Sequence, residues 1–140
     1  MYLVRLVYAS KVVNEQFSAD DIKQVLESAR KNNSKYNLTG LLCFSSKYFL
    51  QCLEGPRMNV NQTYQRILAD TRHKDILLLD YQEIDRREFA NWGMGYVPQS
   101  SLTRPLNLKY SGSPEFDPFD MSGESCHQLL LESRGLVPVQ

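Results

Sequence analysis

The sequence predicts an α+β domain: a ferredoxin-like sheet in βαββαββ order with two helices on one face, followed by a C-terminal helical extension. Three observations carry this reading. Runs rich in β-branched and aromatic residues, with strand-like alternation, begin at Tyr2, Leu38, Lys47 and Asp75. Windows with helical spacing of apolar residues fall after the first run and after the third. The second and third runs are separated only by a tight turn near Ser45–Lys47 and therefore form a hairpin.

The first strand is "YLVRLVYAS", Tyr2–Ser10, with Val4, Leu6 and Tyr8 on one face and Leu3, Arg5, Val7 and Ala9 on the other. In "FSADDIKQVLESARKNN", Ser18 and Asp21 form an acidic capping box, and Asp20 and Asp21 suit the positive end of the helix dipole. Ile22, Val25, Leu26 and Ala29 then mark the inner face. The hairpin strands are Leu38–Ser46 and Lys47–Gly55, and Gly55–Pro56 breaks the second near a helix start. The next helix is expected over Arg57–Thr71, with Val60, Tyr64, Ile67 and Leu68 inward. A long strand over Asp75–Asp85 and a last one around Gly93–Val97 complete the sheet. After Pro98, "SLTRPLNLKYSGSPEFDPFD" has three prolines and reads as a wrapping linker, and "SGESCHQLLLESRG" as one amphipathic helix with Cys126, Leu129 and Leu130 inward and Gly135 as its stop. The division is a domain over residues 1–98 and a linker with helical extension over 99–140, the extension serving as a cover for the open face of the sheet or as a subunit contact.

Composition narrows the function. Sixteen basic residues balance sixteen acidic ones in 140, without a Lys/Arg cluster, so nucleic-acid or membrane-surface binding has no electrostatic basis. No run reaches the length of a membrane-spanning helix, and the N-terminus lacks a secretory h-region, so a soluble cytoplasmic protein is expected. Cys43, Cys52 and Cys126 have neither CxxC spacing nor a suitable histidine pair, which points to reduced structural thiols and no metal.

The chemistry begins with a polar residue out of place. In "YFLQCLEGPR", alternation puts Gln51 between Phe49 and Leu53 on an apolar face, where an unpaired carboxamide costs about 1–3 kcal/mol. In the split-βαβ order the first and third strands are neighbours, so Tyr8 and Gln51 can meet on the side facing the helices. The inner stripe of the first helix continues from Ala29 to Asn32 and Asn33; one of these reads as a C-cap, but that does not explain both. Tyr8, Gln51, Asn32 and Asn33, walled by Ile22, Val25, Phe49 and Leu53, make a slot suited to a flat heteroaromatic ring with amide-like edges. Arg66, Asp70, Arg72, His73 and Lys74 read either as a solvated helix end or as a phosphate-binding mouth of that slot. GxGxxG, GxxxxGK[ST], GxSxG and HExxH are absent, and the loop "SKVVNEQFSADD" lacks the arginine and glycines of an acylphosphatase-like anion cradle.

Together, "RLVYAS", "NNSKYNLTGLLCFSSKYFLQCLEG", "YQRILADTRH" and "NWGMGYV" closely resemble the BLUF domains, blue-light sensors that use flavin, over about Met1 to Val97. The resemblance implies a non-enzymatic photoreceptor of the short type, with two extra helices on the second face of the sheet. By position, Tyr8 matches the tyrosine that gives an electron and then a proton to the excited flavin, and Gln51 the switching glutamine. Asn33 and Asn32 match ring-pairing asparagines, while Arg66, Asp70 and His73 match positions near the ribityl and phosphate end. Trp92 and Met94 match a W-x-M on the last strand, one of which lies near the glutamine and passes the signal outward. The implied cofactor is FAD, with FMN or riboflavin served by the same ring contacts. The implied partners are a second copy in a homo-oligomer and a separate downstream signalling protein. Ala29 and Gly93 depart from the serine, and the serine or alanine, common in relatives. The competing expectation is a non-photoactive small-molecule-binding or interaction module on the same fold, with Tyr8 and Gln51 a satisfied core pair.

Overall fold

The computed structural model describes residues 2–13 and 17–139. Residues 1, 14–16 and 140, the middle three belonging to the stretch "SKVVNEQFSADD", lie outside them. Five strands, β1 (Leu3–Val12), β2 (Thr39–Phe44), β3 (Tyr48–Pro56), β4 (His73–Ile84) and β5 (Gly95–Val97), form one sheet in the order β4-β1-β3-β2-β5. β1 runs antiparallel to β3 and β4, β2 antiparallel to β3, and β5 parallel to β2. The helices are α1 (Ala19–Tyr36), α2 (Arg57–Leu68), α3 (Arg104–Ser111) and α4 (Gly123–Ser133). The order is the expected α+β, ferredoxin-like one, with helices after it.

Alternation along the central strands divides the interior in two. Val4, Leu6 and Tyr8 of β1, Leu42 of β2 and Phe49 and Leu53 of β3 pack with Ile22 and Leu26 of α1 and Val60 of α2. Their chain neighbours Val7, Ala9, Leu41, Cys43, Leu50 and Cys52 pack on the opposite face with Leu106 of α3 and Cys126, Leu129 and Leu130 of α4. Leu129 and Leu130 are fully buried, each contributing about 1.5–3 kcal/mol of apolar transfer. The C-terminal segment therefore covers the second face. Gly123 allows the start of α4 to lie against β4: a Cβ there would stand 2.1 Å from the Leu79 carbonyl oxygen.

The capping box forms as expected, with the Asp21 amide donating to Ser18 Oγ at 3.1 Å and the Ser18 amide to Asp21 Oδ2 at 2.7 Å. Several expectations are corrected. α1 runs past Asn33 to Tyr36 and is capped by Asn37 in the left-handed region at φ 58°, so neither Asn32 nor Asn33 is a C-cap. α2 ends at Leu68 rather than Thr71, and Leu68 is exposed, leaving Thr63 beside Val60 as the buried pair. β4 begins at His73, two residues earlier than expected, and β5 begins at Gly95, two residues later. The supposed linker contains α3: Thr103 caps it, and Pro105 sits in its first turn, where its missing N–H costs nothing. Proline there starts a helix.

Two polar clusters tie the second face together. Arg5 pairs with Asp80 at 2.9 Å and Glu88 at 3.0 Å; His127 of α4 bonds Glu88 at 2.8 Å, and Arg134 donates to the Glu88 carbonyl at 2.6 Å. The second cluster gathers on Glu54, discussed below. Cys43, Cys52 and Cys126 are free and buried, and burial pushes their thiols up, that of Cys126 to about 12. Among the described residues no helix is long and apolar enough to cross a membrane, and no group of three or more His, Cys, Asp or Glu could hold a metal ion.

Candidate functional site

Tyr8 and Gln51 are direct cross-strand partners in the β1–β3 ladder, and Gln51 is in turn opposite Leu42 of β2. Both polar side chains are buried, and the Tyr8 hydroxyl donates to Gln51 Oε1. The other end of the carboxamide, Nε2, donates to the Met94 thioether at 3.4 Å. Gln51 is thus satisfied at both ends, which answers the cost of placing it between Phe49 and Leu53.

Above this pair α1 lays down Val25, Ser28, Ala29, Asn32 and Asn33, an i, i+3, i+4 face, and α2 lays down Thr63, Arg66 and Ile67 at the same spacing. With Tyr8, Leu42, Phe49, Gln51, Leu53, Asp70, Arg72 and His73 they enclose a cavity of about 220 Å³. Asn33 Nδ2 donates to the Gly93 carbonyl at 2.5 Å, and Asn32 Nδ2 to Thr63 Oγ1 at 3.3 Å. Both amides are thereby oriented by the protein, and their oxygens remain as acceptors for a ligand that carries N–H groups. Arg30 Nε donates to the Met94 carbonyl at 3.1 Å. These two bonds from α1 hold the Gly93 and Met94 carbonyls, which explains why β5 starts only at Gly95.

Burial, followed by the nearby Tyr64 and Asp70, raises the Tyr8 pKa far above that of an ordinary phenol. Tyr8 is a protonated donor at every physiological pH. At the cavity mouth Asp70 accepts from Arg72 in bonds of 2.6–3.1 Å, and this pairing lowers its pKa against the opposing effect of burial. Arg66 lies over the Tyr36 ring at 4.9 Å and reaches Thr63 Oγ1 at 3.4 Å.

Of the sequence-predicted residues, Tyr8, Val25, Asn32, Asn33, Phe49, Gln51, Leu53, Arg66, Asp70 and His73 all line the cavity. One expected wall residue, Ile22, falls outside the lining, and two others are placed more finely than the sequence allowed. Ile22, one turn before Val25, is buried in the helix-side core but does not line the cavity. His73 is no solvated helix end: it starts β4, is 9% exposed, and engages Ser10 Oγ and the Ile67 carbonyl, each at 2.7 Å. A carbonyl only accepts, so His73 Nε2 carries the proton and the ring is fully used within the protein. Trp92 lies on the far face, its indole N–H shared between the Val137 and Pro138 carbonyls at 3.3 and 3.1 Å, while Met94 faces the glutamine. The lining also contains Ala29, Ile67 and Arg72, placed by the sequence on inner helix faces or at the mouth, and Ser28, Leu42 and Thr63, which it did not single out. The helix spacing of Val25–Asn33 and Thr63–Ile67, and the hairpin register that sets Leu42 against Gln51, were signals that could have found most of them.

The chain matches the family described as sensors of blue-light using FAD over residues 3–95. It is 34% identical over 94 residues to a blue light- and temperature-regulated antirepressor of Escherichia coli K12, covering 66% of this chain and 23% of that protein. It is equally 34% identical over 89 residues to the photoactivated adenylate cyclase subunit alpha of Euglena gracilis, covering 64% of this chain and 9% of the other. The chain therefore spans less than a quarter of either curated relative. Among solved structures, the photo-activated state of BlsA superposes with a TM-score of 0.84 at 31% identity, covering 93% of each chain. The dark state of BlrB, a BLUF protein, superposes with a TM-score of 0.78 at 30% identity, covering 96% of each chain.

Proposed function

The chain belongs to the BLUF family of blue-light sensors using FAD, and we propose that it acts as a sensor without catalytic activity of its own, with Tyr8 and Gln51 its photochemical switch and Met94 the first residue to feel it. The observation that carries this is the chain of contacts from the Tyr8 hydroxyl through Gln51 to Met94, of which Tyr8 and Gln51 line the cavity. The cavity suits a flavin: its walls are apolar, its edge groups are oriented carboxamides, and Arg66 stands at the mouth for a phosphate-bearing tail. Within the reading, Asn33 and Asn32 hold the ring, Val25, Phe49 and Leu53 wall it, Ile22 packs in the helix-side core, and Arg66 and Asp70, with His73 fixed behind them, form the tail end. FAD fits best with the family description, although the ring contacts also admit FMN and riboflavin.

Bound flavin supplies the light-absorbing oxidant. With flavin bound as that oxidant and electron acceptor, Tyr8, kept protonated by burial, would release an electron to it and the hydroxyl proton along the bond to Gln51, and would later recover both. Gln51 is left rearranged, because its two ends are nearly isosteric but opposite as hydrogen-bond groups. In the present orientation Nε2 meets the Met94 thioether, a weak acceptor; reversal sets Oε1 against a sulfur that has nothing to donate. Met94 is expelled, and Gly93 and Trp92 move with it. The output then passes through the segment before β5 to the C-terminal tail, which Trp92 holds.

The domain division at residue 98, a cytoplasmic location, a homo-oligomer and a separate downstream protein belong to the same reading. Leu77, Leu78 and Tyr81 on edge strand β4, at 40–48% exposure, support association with another chain. The deciding experiment is absorption spectroscopy: purified protein is expected to be yellow and to show a reversible red shift under blue light. A colourless preparation that takes up no added flavin favours the plain interaction module instead.

A further inference from the structure

Glu54 is a carboxylate with no accessible surface, three residues beyond Gln51 on β3 and on the opposite face of the sheet. An ionised group so placed needs strong partners. Among the described residues none of them is a cation within salt-bridge distance. Instead, Oε2 accepts from the Glu88 amide at 2.8 Å, and Oε1 accepts from the Phe89 amide at 2.9 Å and the Thr39 hydroxyl at 3.2 Å. Arg87 reinforces the grip by donating to Thr39 Oγ1 at 2.8 Å, the Glu54 carbonyl at 3.1 Å and the Asn37 carbonyl at 2.7 Å.

What Glu54 grips is the root of the segment that answers to Gln51. From Phe89 the chain makes one turn, with the Trp92 amide donating to the Phe89 carbonyl at 3.1 Å and the Trp92 carbonyl accepting from Gly40 at 3.0 Å. The next two residues are Gly93, bonded to Asn33, and Met94, bonded to Gln51. β3 thus holds this segment twice, through Gln51 at its tip and Glu54 at its root.

We propose that Glu54 is a positioning residue for the light switch: by clamping the Glu88 and Phe89 amides it holds the 89–94 segment in the arrangement that puts Met94, and not Trp92, against Gln51. This rests on the reading of Gln51 and Met94 given above. Displacing Met94 pulls on the Trp92–Phe89 turn and through it on the carboxylate, so the clamp resists the light-induced arrangement and favours return. Glu54→Gln keeps the size but places an N–H₂ where only acceptors are wanted, so at least one backbone amide loses its partner.

The test uses the holoprotein and two readouts. Glu54→Gln is expected to slow dark recovery of the red-shifted absorption about tenfold, equivalent to 1.4 kcal/mol, the scale of one lost hydrogen bond to a charged group. In flavin-free protein the same substitution is expected to speed hydrogen exchange of the single indole N–H, that of Trp92, by a similar factor. Thr39→Val, a milder loosening of the same clamp, moves both in the same direction by a smaller factor and decides the matter where Glu54→Gln does not fold. Folded variants whose recovery is unchanged or faster overturn the proposal. A parent protein with no photocycle overturns the switch reading instead; the exchange measurement then still judges the clamp, and unchanged exchange removes it too.

Discussion

Tyr8 and Gln51 stand directly opposite each other across two central strands, and the hydroxyl of one is bonded to the carboxamide oxygen of the other. No loop intervenes, so the pair is held by the sheet ladder itself and the distance between them is insensitive to motion elsewhere. That rigidity separates the roles of the two residues and lets each be tested alone.

Tyr8→Phe keeps the ring and removes only the hydroxyl. Flavin uptake is expected to be retained and the reversible red shift lost, as read by difference absorption under blue light. A persistent shift would assign the electron donor to another residue.

Gln51→Leu preserves volume and leaves the buried Tyr8 hydroxyl without its acceptor, a cost of about 1–3 kcal/mol to be read by denaturant titration. Flavin should still bind, but no spectral shift should follow illumination. A normal photocycle in this variant contradicts the assignment of Gln51 as the switch.

Gly95→Ala tests the packing that joins the site to the tail. A Cβ there would stand 2.4 Å from Leu41 Cδ2, 2.9 Å from Trp92 Cδ1 and 3.1 Å from Val137 Cγ1. The expected outcome is a loss of about 1–3 kcal/mol, typical of overpacking, with a change in Trp92 fluorescence in the dark. An unchanged emission spectrum would mean that Leu41 alone gives way.

Stability is expected to fall on mild acidification through His127. Burial, and then Arg5, lower its pKa despite the favourable Glu88 carboxylate. The unfolded chain therefore takes up the proton first: the contribution is complete above the ordinary histidine pKa of about 6.5 and is lost as pH falls from there towards the lower folded value. His127→Gln should flatten the denaturation midpoint between about pH 7 and 5.5. A slope equal to that of the parent assigns the effect elsewhere.

Much of the site was legible in the sequence because its information is local or periodic. The Ser18–Asp21 capping box set the phase of α1, and that phase carried Val25, Ala29, Asn32 and Asn33 onto one face. The Tyr8–Gln51 pairing followed from strand order and alternation. What was not legible has equally physical causes. Pro105 and Gly112 look like breakers, yet they occupy the first turn and the left-handed cap (φ 72°) of α3. His73 looks like surface charge because nothing nearby in sequence reveals Ser10 and the Ile67 carbonyl, brought together only by β1–β4 pairing and the end of α2. Trp92 and Met94 share a motif, but their opposite placement depends on tail carbonyls more than forty residues away.

The division of β3 between two interiors makes the partition between them one strand thick. Gln51 borders the cavity, and its covalent neighbour Cys52 is buried among the residues that contact α4. At this point the cavity side and the C-terminal helices are separated by a single peptide unit. The same economy forbids any slippage: one residue of shift in β3 would send Gln51 into the far compartment and Cys52 into the near one, making the receptor blind before it lost its fold.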